Sequence, residues 1–337
     1  MTKIRSIGSI ILLAAALFLV INAFLLLSEA GNENSGETEV VRGQTITPYF
    51  STDEGQKAPV EIYYYPADPS PGDFLLVEAG PVDENKPFFI DFDFQGEITG
   101  FYHAGGLLYT IIAISCDAEI DSYSLELKEG TRQSPGAVQT QSSLTLAEKE
   151  FPLSRFSMPA ERTEGWTAER LAEDREKVRL ARAESEPYPL WEGLFVSPLE
   201  GRITSEYGAI RIINDNPPRR HMGIDIGAPE GEPVVAPNRG IVRLAEFLLS
   251  GGNTVIIDHG MGLSSTYMHL HTIEVEVDSI VEKEQLIGTV GMTGYATGNH
   301  LHWEVNIDQT AVNPQQLLGN DLRWIPPAYT AAFLHSQ

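Results

Sequence analysis

From Leu190 to about Leu318 the chain is written in short apolar runs separated by glycine-rich turns, with no stretch of helical period. The runs Pro233–Ala236, Gly240–Leu244, Thr254–Ile257, Ser265–Leu270, Leu286–Val290 and His300–Ile307 are each four to eight residues long. An amphipathic helix needs apolar positions every three to four residues over a longer window, whereas strands of this length need only turns between them. Residues 187–320 are therefore expected to form an all-β domain of two packed antiparallel sheets.

Similar text occurs earlier. Between residues 43 and 130 the runs Val60–Tyr65, Phe74–Ala79, Phe88–Phe94, Leu107–Ile114 and Tyr123–Leu127 alternate with turn clusters, which predicts a small β-sandwich spacer. Residues 131–166 read as a connector, rich in Ser, Gln and Pro over 131–145, with one extended segment at Pro152–Pro159. A linking helix is expected over 167–186. Thr167 can cap it, acidic residues crowd its first turns and basic residues its later ones, and Pro187 and Pro189 end it. Its sparse apolar positions, Leu171, Val178 and Leu180, predict docking by one narrow edge.

The N-terminus addresses placement. Lys3 and Arg5 precede the nearly all-apolar run Ile10–Leu27. As a helix rising about 1.5 Å per residue, it would cross most of a roughly 30 Å hydrocarbon core. Residues 1–30 thus predict a single-pass signal anchor, with secretion after cleavage near Ser28-Glu29-Ala30 as the alternative. Glu29, Glu33 and Glu37 follow the segment, which orients the bulk of the chain outside the cytoplasm. Residues 31–42 read as a polar tether and 321–337 as a C-terminal tail. With 23 Lys plus Arg against 47 Asp plus Glu, the net charge of −24 disfavours a nucleic-acid partner. The single cysteine, Cys116, allows no internal disulfide and reads as a small buried hydrophobe.

Six of the eight histidines lie between His221 and His302. Four of them fall in three elements: His221-Met222-Gly223-Ile224-Asp225, Tyr267-Met268-His269-Leu270 and His300-Leu301-His302-Trp303-Glu304. On extended backbone, residues two or four apart share a face, so His300 and His302 point together, as do His221 and Asp225. Tyr267 and His269 are expected to share a face on the same rule, as are Glu304, His300 and His302, which makes a histidine ring nitrogen one candidate partner for Glu304 and not the favoured one. Hydrolytic zinc sites use three protein ligands and leave a position open for water, and His221, Asp225 and His302 can supply that set. His269 and His300 remain, with a pKa suited to proton transfer near neutrality. His259 and His271 read as structural or surface residues.

The runs RRHMGIDIGAPEGEPVVAPNRGIV, GGNTVIIDHGMGLSSTYMHLH and IGTVGMTGYATGNHLHWEV together resemble the lysostaphin-type (LytM-like) zinc metallopeptidases over roughly residues 195–318. The resemblance implies one Zn²⁺ per chain held by His221, Asp225 and His302. It makes His269 and His300 the catalytic histidines, and it implies an endopeptidase hydrolysing peptide cross-links or stem peptides of bacterial peptidoglycan. It also leaves residues 43–130 as a reach element or a surface for cell-wall protein partners. A non-catalytic regulator of another wall hydrolase, built on the same fold, is the alternative, and lost ligands would be its signature. A biotinyl- or lipoyl-type carrier, suggested by the hairpin text of Val281–Gly291, needs a lysine at a hairpin tip, and Lys283 lies on the wrong side of that hairpin.

Overall fold

The structure, a computed structural model, describes residues 59–93, 101–163, 165–214 and 216–319. The expected anchor, tether and tail lie outside them. No helix among the described residues is long and apolar enough to cross a membrane.

The first half is built from seven strands: β1 (Glu61–Tyr65), β2 (Phe74–Gly80), β3 (Phe88–Phe92), β4 (Tyr102–Ala104), β5 (Leu107–Ala113), β6 (Ser122–Thr131) and β7 (Ser134–Thr145). One sheet has the order β1-β2-β5-β4 and the other β3-β6-β7. Their inner faces share a core in which Leu75, Val77 and Ile112 of one sheet meet Ile90, Leu125 and Leu127 of the other. Burying each such side chain is worth about 1.5–3 kcal/mol, which is what holds two small sheets face to face. Residues 134–145 depart from the expected connector. They form a twelve-residue strand hydrogen-bonded along β6, although almost every side chain is exposed. The ladder, not apolar burial, makes this strand, so the hydrophobic pattern was silent there.

β8 (Leu153–Phe156) fulfils the extended segment expected near Pro152. Helix α1 (Ala168–Ala183) follows, with the Thr167 hydroxyl accepting from Arg170 N at 3.2 Å. It docks through Val178 and Ala181 against Leu244, Leu248 and Ile256. Leu180 is exposed instead of docked, because it lies two residues, or about 200° of helical turn, beyond Val178.

The remaining strands are β9 (Arg202–Ser205), β10 (Ile210–Ile213), β11 (Arg219–Arg220), β12 (Ile224–Gly227), β13 (Pro233–Val235), β14 (Gly240–Leu248), β15 (Gly252–Gly260), β16 (Leu263–Ile273), β17 (Ile280–Val281), β18 (Leu286–Val290), β19 (His300–Ile307) and β20 (Thr310–Val312), before a short α2 (Pro314–Gly319). The two sheets expected here are hydrogen-bonded into one antiparallel network with the spine β17-β14-β15-β16-β19-β12-β9. The join is β16: its first part pairs with β15 and β19, and past a register shift its last residues pair with β18, which carries β13.

The two halves are not held apart. Phe74, Leu76, Tyr109 and Cys116 belong to the same apolar cluster as Tyr207, Ile224, Val305 and Val312. Gln316 bonds both the N–H and the carbonyl of Phe74 at 2.7 Å, and Arg220 pairs with Asp117 at 2.8 Å. The sandwich is therefore part of the body that holds the site, where the sequence suggested a separable spacer.

His259 is wholly buried. Its Nδ1 lies 2.9 Å from the Arg239 carbonyl, and its Nε2 lies 2.7 Å from the Ser265 hydroxyl, which contacts Tyr267 Oη. Burial pushes its pKa down to about 4, against the opposing pull of the Arg239 carbonyl. The unfolded value is about 6.5. As pH falls from about 6.5 to about 4, the unfolded chain takes up a proton that the folded chain refuses, so stability present above pH 6.5 is lost on acidification. The melting temperature is expected to fall from pH 7 to pH 4.5, with a shallower slope in His259→Gln. Equal slopes in the two proteins would remove this role from His259.

Candidate metal centre

The site is assembled on the pairing of β12 with β19. Asp225 stands directly opposite His302 in that ladder, so the two side chains lie abreast on one face. His300, His302 and Glu304, at alternate positions of β19, project to the same side. His221 reaches them because Gly223 lets its segment press against β19. A Cβ at position 223 would sit 2.3 Å from the Trp303 carbonyl oxygen. The His221 backbone is fixed by two bonds, from its N–H to the Ala209 carbonyl and from Gly208 N–H to its own carbonyl.

His269 arrives from β16 by a local break in alternation. Its φ is +63°, in the left-handed region that few side chains adopt. The expectation that Tyr267 shares its face fails for this reason. Tyr267 is fully buried with its hydroxyl on Ser265, while His269 turns to the side of His302, its ring 6.0 Å from the His302 ring.

His221 Nε2 lies 3.0 Å from Asp225 Oδ1 and 2.9 Å from His302 Nδ1, and His302 Nδ1 lies 2.8 Å from Asp225 Oδ1. All three residues are buried. The outer nitrogens face acceptors: His221 Nδ1 meets the Glu206 carbonyl at 2.8 Å, and His302 Nε2 meets Glu304 Oε1 at 3.1 Å. When those nitrogens donate, the inner ones turn bare lone pairs toward each other and toward a carboxylate. Three acceptors converging on one buried point repel one another unless a cation lies between them. The donor set of two imidazoles and one carboxylate fits a divalent metal with nitrogen and oxygen preference.

The charges agree. Without a metal, protons on the inner nitrogens take its place: burial opposes ionisation of Asp225, but hydrogen bonds from His221 and His302 in that state prevail and hold its carboxyl well below the usual range. Burial depresses His302 too, yet Asp225 and Glu304 outweigh it and raise its pKa to about 9, the mark of a position that draws positive charge. His269 moves the other way. Burial, with the neighbouring His300 and His302, lowers it to about 3, so it is a neutral base across the physiological range. The Nδ1 of His269 lies 2.9 Å from the Thr293 carbonyl and that of His300 lies 2.8 Å from the Gly298 carbonyl. Those contacts leave both Nε2 atoms for the groove, whose walls include Phe156, Met158, Arg211 and Tyr295.

The structure thus brings together all five residues singled out in the sequence, and it joins Glu304 to the His302 ring, a contact the sequence did not favour. His271 is an exposed surface residue. Two arginines escaped sequence reasoning. Arg211 of β10 bonds the second oxygen of Asp225 and the Ser205 hydroxyl. Arg182 of α1 bonds Glu304 Oε2 at 2.5 Å and Thr266 Oγ1 at 3.2 Å. Arg182 and Glu304 are almost fully enclosed, so an element outside the histidine motifs fixes the carboxylate that orients His302. No motif marked them; a run of basic residues near a helix end reads first as a dipole effect.

Three residues able to hold a metal ion lie in a β-sheet groove with two more imidazoles beside them, the donor set that a metal-dependent hydrolytic centre needs. Residues 219–314 match the model of Peptidase family M23. Over 96 residues it is 40 % identical to the DD-carboxypeptidase/endopeptidase Mpg of Neisseria meningitidis serogroup B, a match covering 28 % of this chain and 22 % of that protein. It is 36 % identical over 97 residues to the peptidoglycan DD-endopeptidase ShyC of Vibrio cholerae, covering 29 % of this chain and 22 % of that protein. The chain thus matches only about a fifth of the length of these two relatives. A crystal structure described as a putative peptidase M23 from Pseudomonas aeruginosa shares the fold, with a TM-score of 0.55 and 23 % identity, covering 74 % of this chain and 95 % of that one.

Removing Arg182 leaves the Glu304 carboxylate buried without its cation. Arg182→Ala and Glu304→Gln are expected to weaken zinc binding by roughly 10–100-fold, the usual cost of losing a residue that orients a ligand. Competition with a chromophoric chelator measures this, and Arg182→Lys should recover part of the loss. Unchanged affinity in both variants would confine the pair to structural support.

Proposed function

We propose that the protein is a zinc-dependent endopeptidase that hydrolyses peptide cross-links or stem peptides of peptidoglycan. The observation that carries this reading is the convergence of His221, Asp225 and His302 on one point with the imidazoles of His269 and His300 at its edge. The named activities of the two relatives support the substrate class.

Zinc held by those three residues would supply Lewis-acid polarisation of a carbonyl and lower the pKa of a water. The chain's own groups do the rest. With its Nδ1 tied to a backbone carbonyl, His269 offers a bare Nε2 to the groove and accepts a proton from the attacking water. The same nitrogen then returns that proton to the leaving amine. His300, its ring 4.8 Å from that of His269, is oriented in the same manner and, with a second proton taken up from solvent at Nε2, donates to the developing oxyanion. Burial of the ligand residues keeps bulk water away from the polarised groups.

The placement we infer is single-pass in the membrane through residues 1–30, with the body outside the cytoplasm. The basic-then-apolar order of the N-terminal sequence supports it.

The chain lacking its first 42 residues should bind one zinc and cleave defined muropeptides, read as product masses. His221→Ala should lose both metal and cleavage. His269→Ala should keep the metal and lose a factor of roughly 10²–10⁴ in rate, the scale of a proton-transfer group. Full cleavage after exhaustive dialysis against chelator, or metal loss in His269→Ala, would contradict the assigned roles.

A further inference from the structure

Beside the metal centre lies a second, larger cleft of about 720 Å³, walled by α1 on one side and by β10 and β11 on the other. Five arginines line it: Arg175, Arg179, Arg182, Arg211 and Arg219. Only two carboxylates do, and both are occupied, Asp174 by the Leu249 backbone N–H and Glu304 by His302 and Arg182. In a chain with 23 basic against 47 acidic residues, this local reversal of sign is not an average surface.

The arginines are placed where their mutual repulsion is felt. Arg175, Arg179 and Arg182 fall at i, i+4 and i+7 on α1, one face of the helix. Arg219 stands directly opposite Arg211 in the β10–β11 ladder, a like-charge cross-strand pair that costs stability. Arg182, Arg211 and Arg179 have partners in Glu304, Asp225 and Glu176. Arg175 and Arg219 have no ion-pair partner among the described residues. Two unpaired guanidiniums facing one cleft, each beside a like charge, are what an anion would relieve.

The cleft is continuous with the catalytic groove: Arg211, Ile213 and Tyr295 line both, and the groove holds Asp225, His269 and His300. A ligand lying across the metal centre therefore runs into the arginines. We propose that this cleft binds the free carboxylates of an anionic peptide substrate, with Arg175 and Arg219 as the recognition residues. The proposal rests on the peptidase reading and names the substrate chemistry of that same site. Forked guanidiniums accept planar carboxylates in bidentate fashion, which selects a peptide bearing free carboxyl groups over its amidated counterpart.

The test uses two soluble peptides identical except that the free carboxylates flanking the cleaved bond are carboxamides in one. The wild-type chain should show a KM for the carboxylate peptide about tenfold below that for the carboxamide, the scale of one charge-assisted hydrogen bond. The ratio should shrink toward one in Arg175→Gln/Arg219→Gln and at high salt. It should survive in part in Arg175→Lys/Arg219→Lys, which keeps the charge. An equal KM for the two peptides in wild type, or an undiminished ratio in the glutamine variant, overturns the proposal. If neither peptide is cleaved, the peptidase reading fails separately. Calorimetric binding of the same pair then decides the cleft: a carboxylate preference lost in the glutamine variant upholds it, and equal binding overturns it. A phosphate monoester that displaces the carboxylate peptide at lower concentration than acetate would assign the cleft to phosphate and overturn the carboxylate assignment.

Discussion

Three polar atoms crowded at one buried point, which only a cation or a proton between them can reconcile, set the terms for the rest of the molecule. His221 Nε2, Asp225 Oδ1 and His302 Nδ1 lie within about 3 Å of one another inside a protein interior, where uncompensated polar repulsion is expensive. The arrangement persists because each outer atom is held from behind. Glu206 and Glu304 hold the two rings, and Arg211 holds the far oxygen of Asp225. Each support comes from a different element, so the site exists only when the surrounding sheet and helix are in place.

That dependence changes the meaning of the parts outside the histidine motifs. Helix α1 docks by only two apolar residues, Val178 and Ala181, yet it delivers Arg182 to a nearly enclosed carboxylate. Removing one partner of such a pair costs several kcal/mol, more than the narrow apolar seam of the helix contributes, so the ion pair is what couples α1 to the centre. The sandwich acts at one further remove. Tyr207 joins its ring to the core shared by both halves and donates its hydroxyl to the Ala311 carbonyl, and the next two residues, Gly208 and Ala209, hold the His221 backbone. A chain cut before β9 would keep every motif and lose part of what positions them.

What could be read from the sequence follows from which interactions are local. The strands of the second half announced themselves through short apolar or alternating runs between turns: β15 carries the continuous Val255–Ile257, and β19 alternates His300, His302, Glu304 and Asn306 with Leu301, Trp303, Val305 and Ile307. The five site residues were legible because ligand chemistry needs particular residue types, and extended backbone gives i, i+2 and i, i+4 pairs a common face. Alternation misled at Tyr267 and His269, since a residue with positive φ leaves the regular pleat that the two-residue period assumes. The strand β7 was invisible because its ladder to β6 stabilises a run of exposed Ser, Gln and Thr that no hydrophobic count would find. Arg182 and Glu304 are 122 residues apart and Arg211 and Asp225 sit in different sheets, and such pairings leave no trace in local spacing.

The account stands most directly on which nitrogen of each histidine faces the metal. Long-range proton–nitrogen NMR on zinc-loaded protein labelled with ¹⁵N-histidine reads this for each ring. The geometry predicts His221 bound through Nε2 with its Nδ1 protonated, and His302 bound through Nδ1 with its Nε2 protonated toward Glu304. His269 and His300 should be free of metal, each protonated at the Nδ1 that meets a backbone carbonyl. Zinc on either of the last two rings, or His302 bound through Nε2, would contradict it.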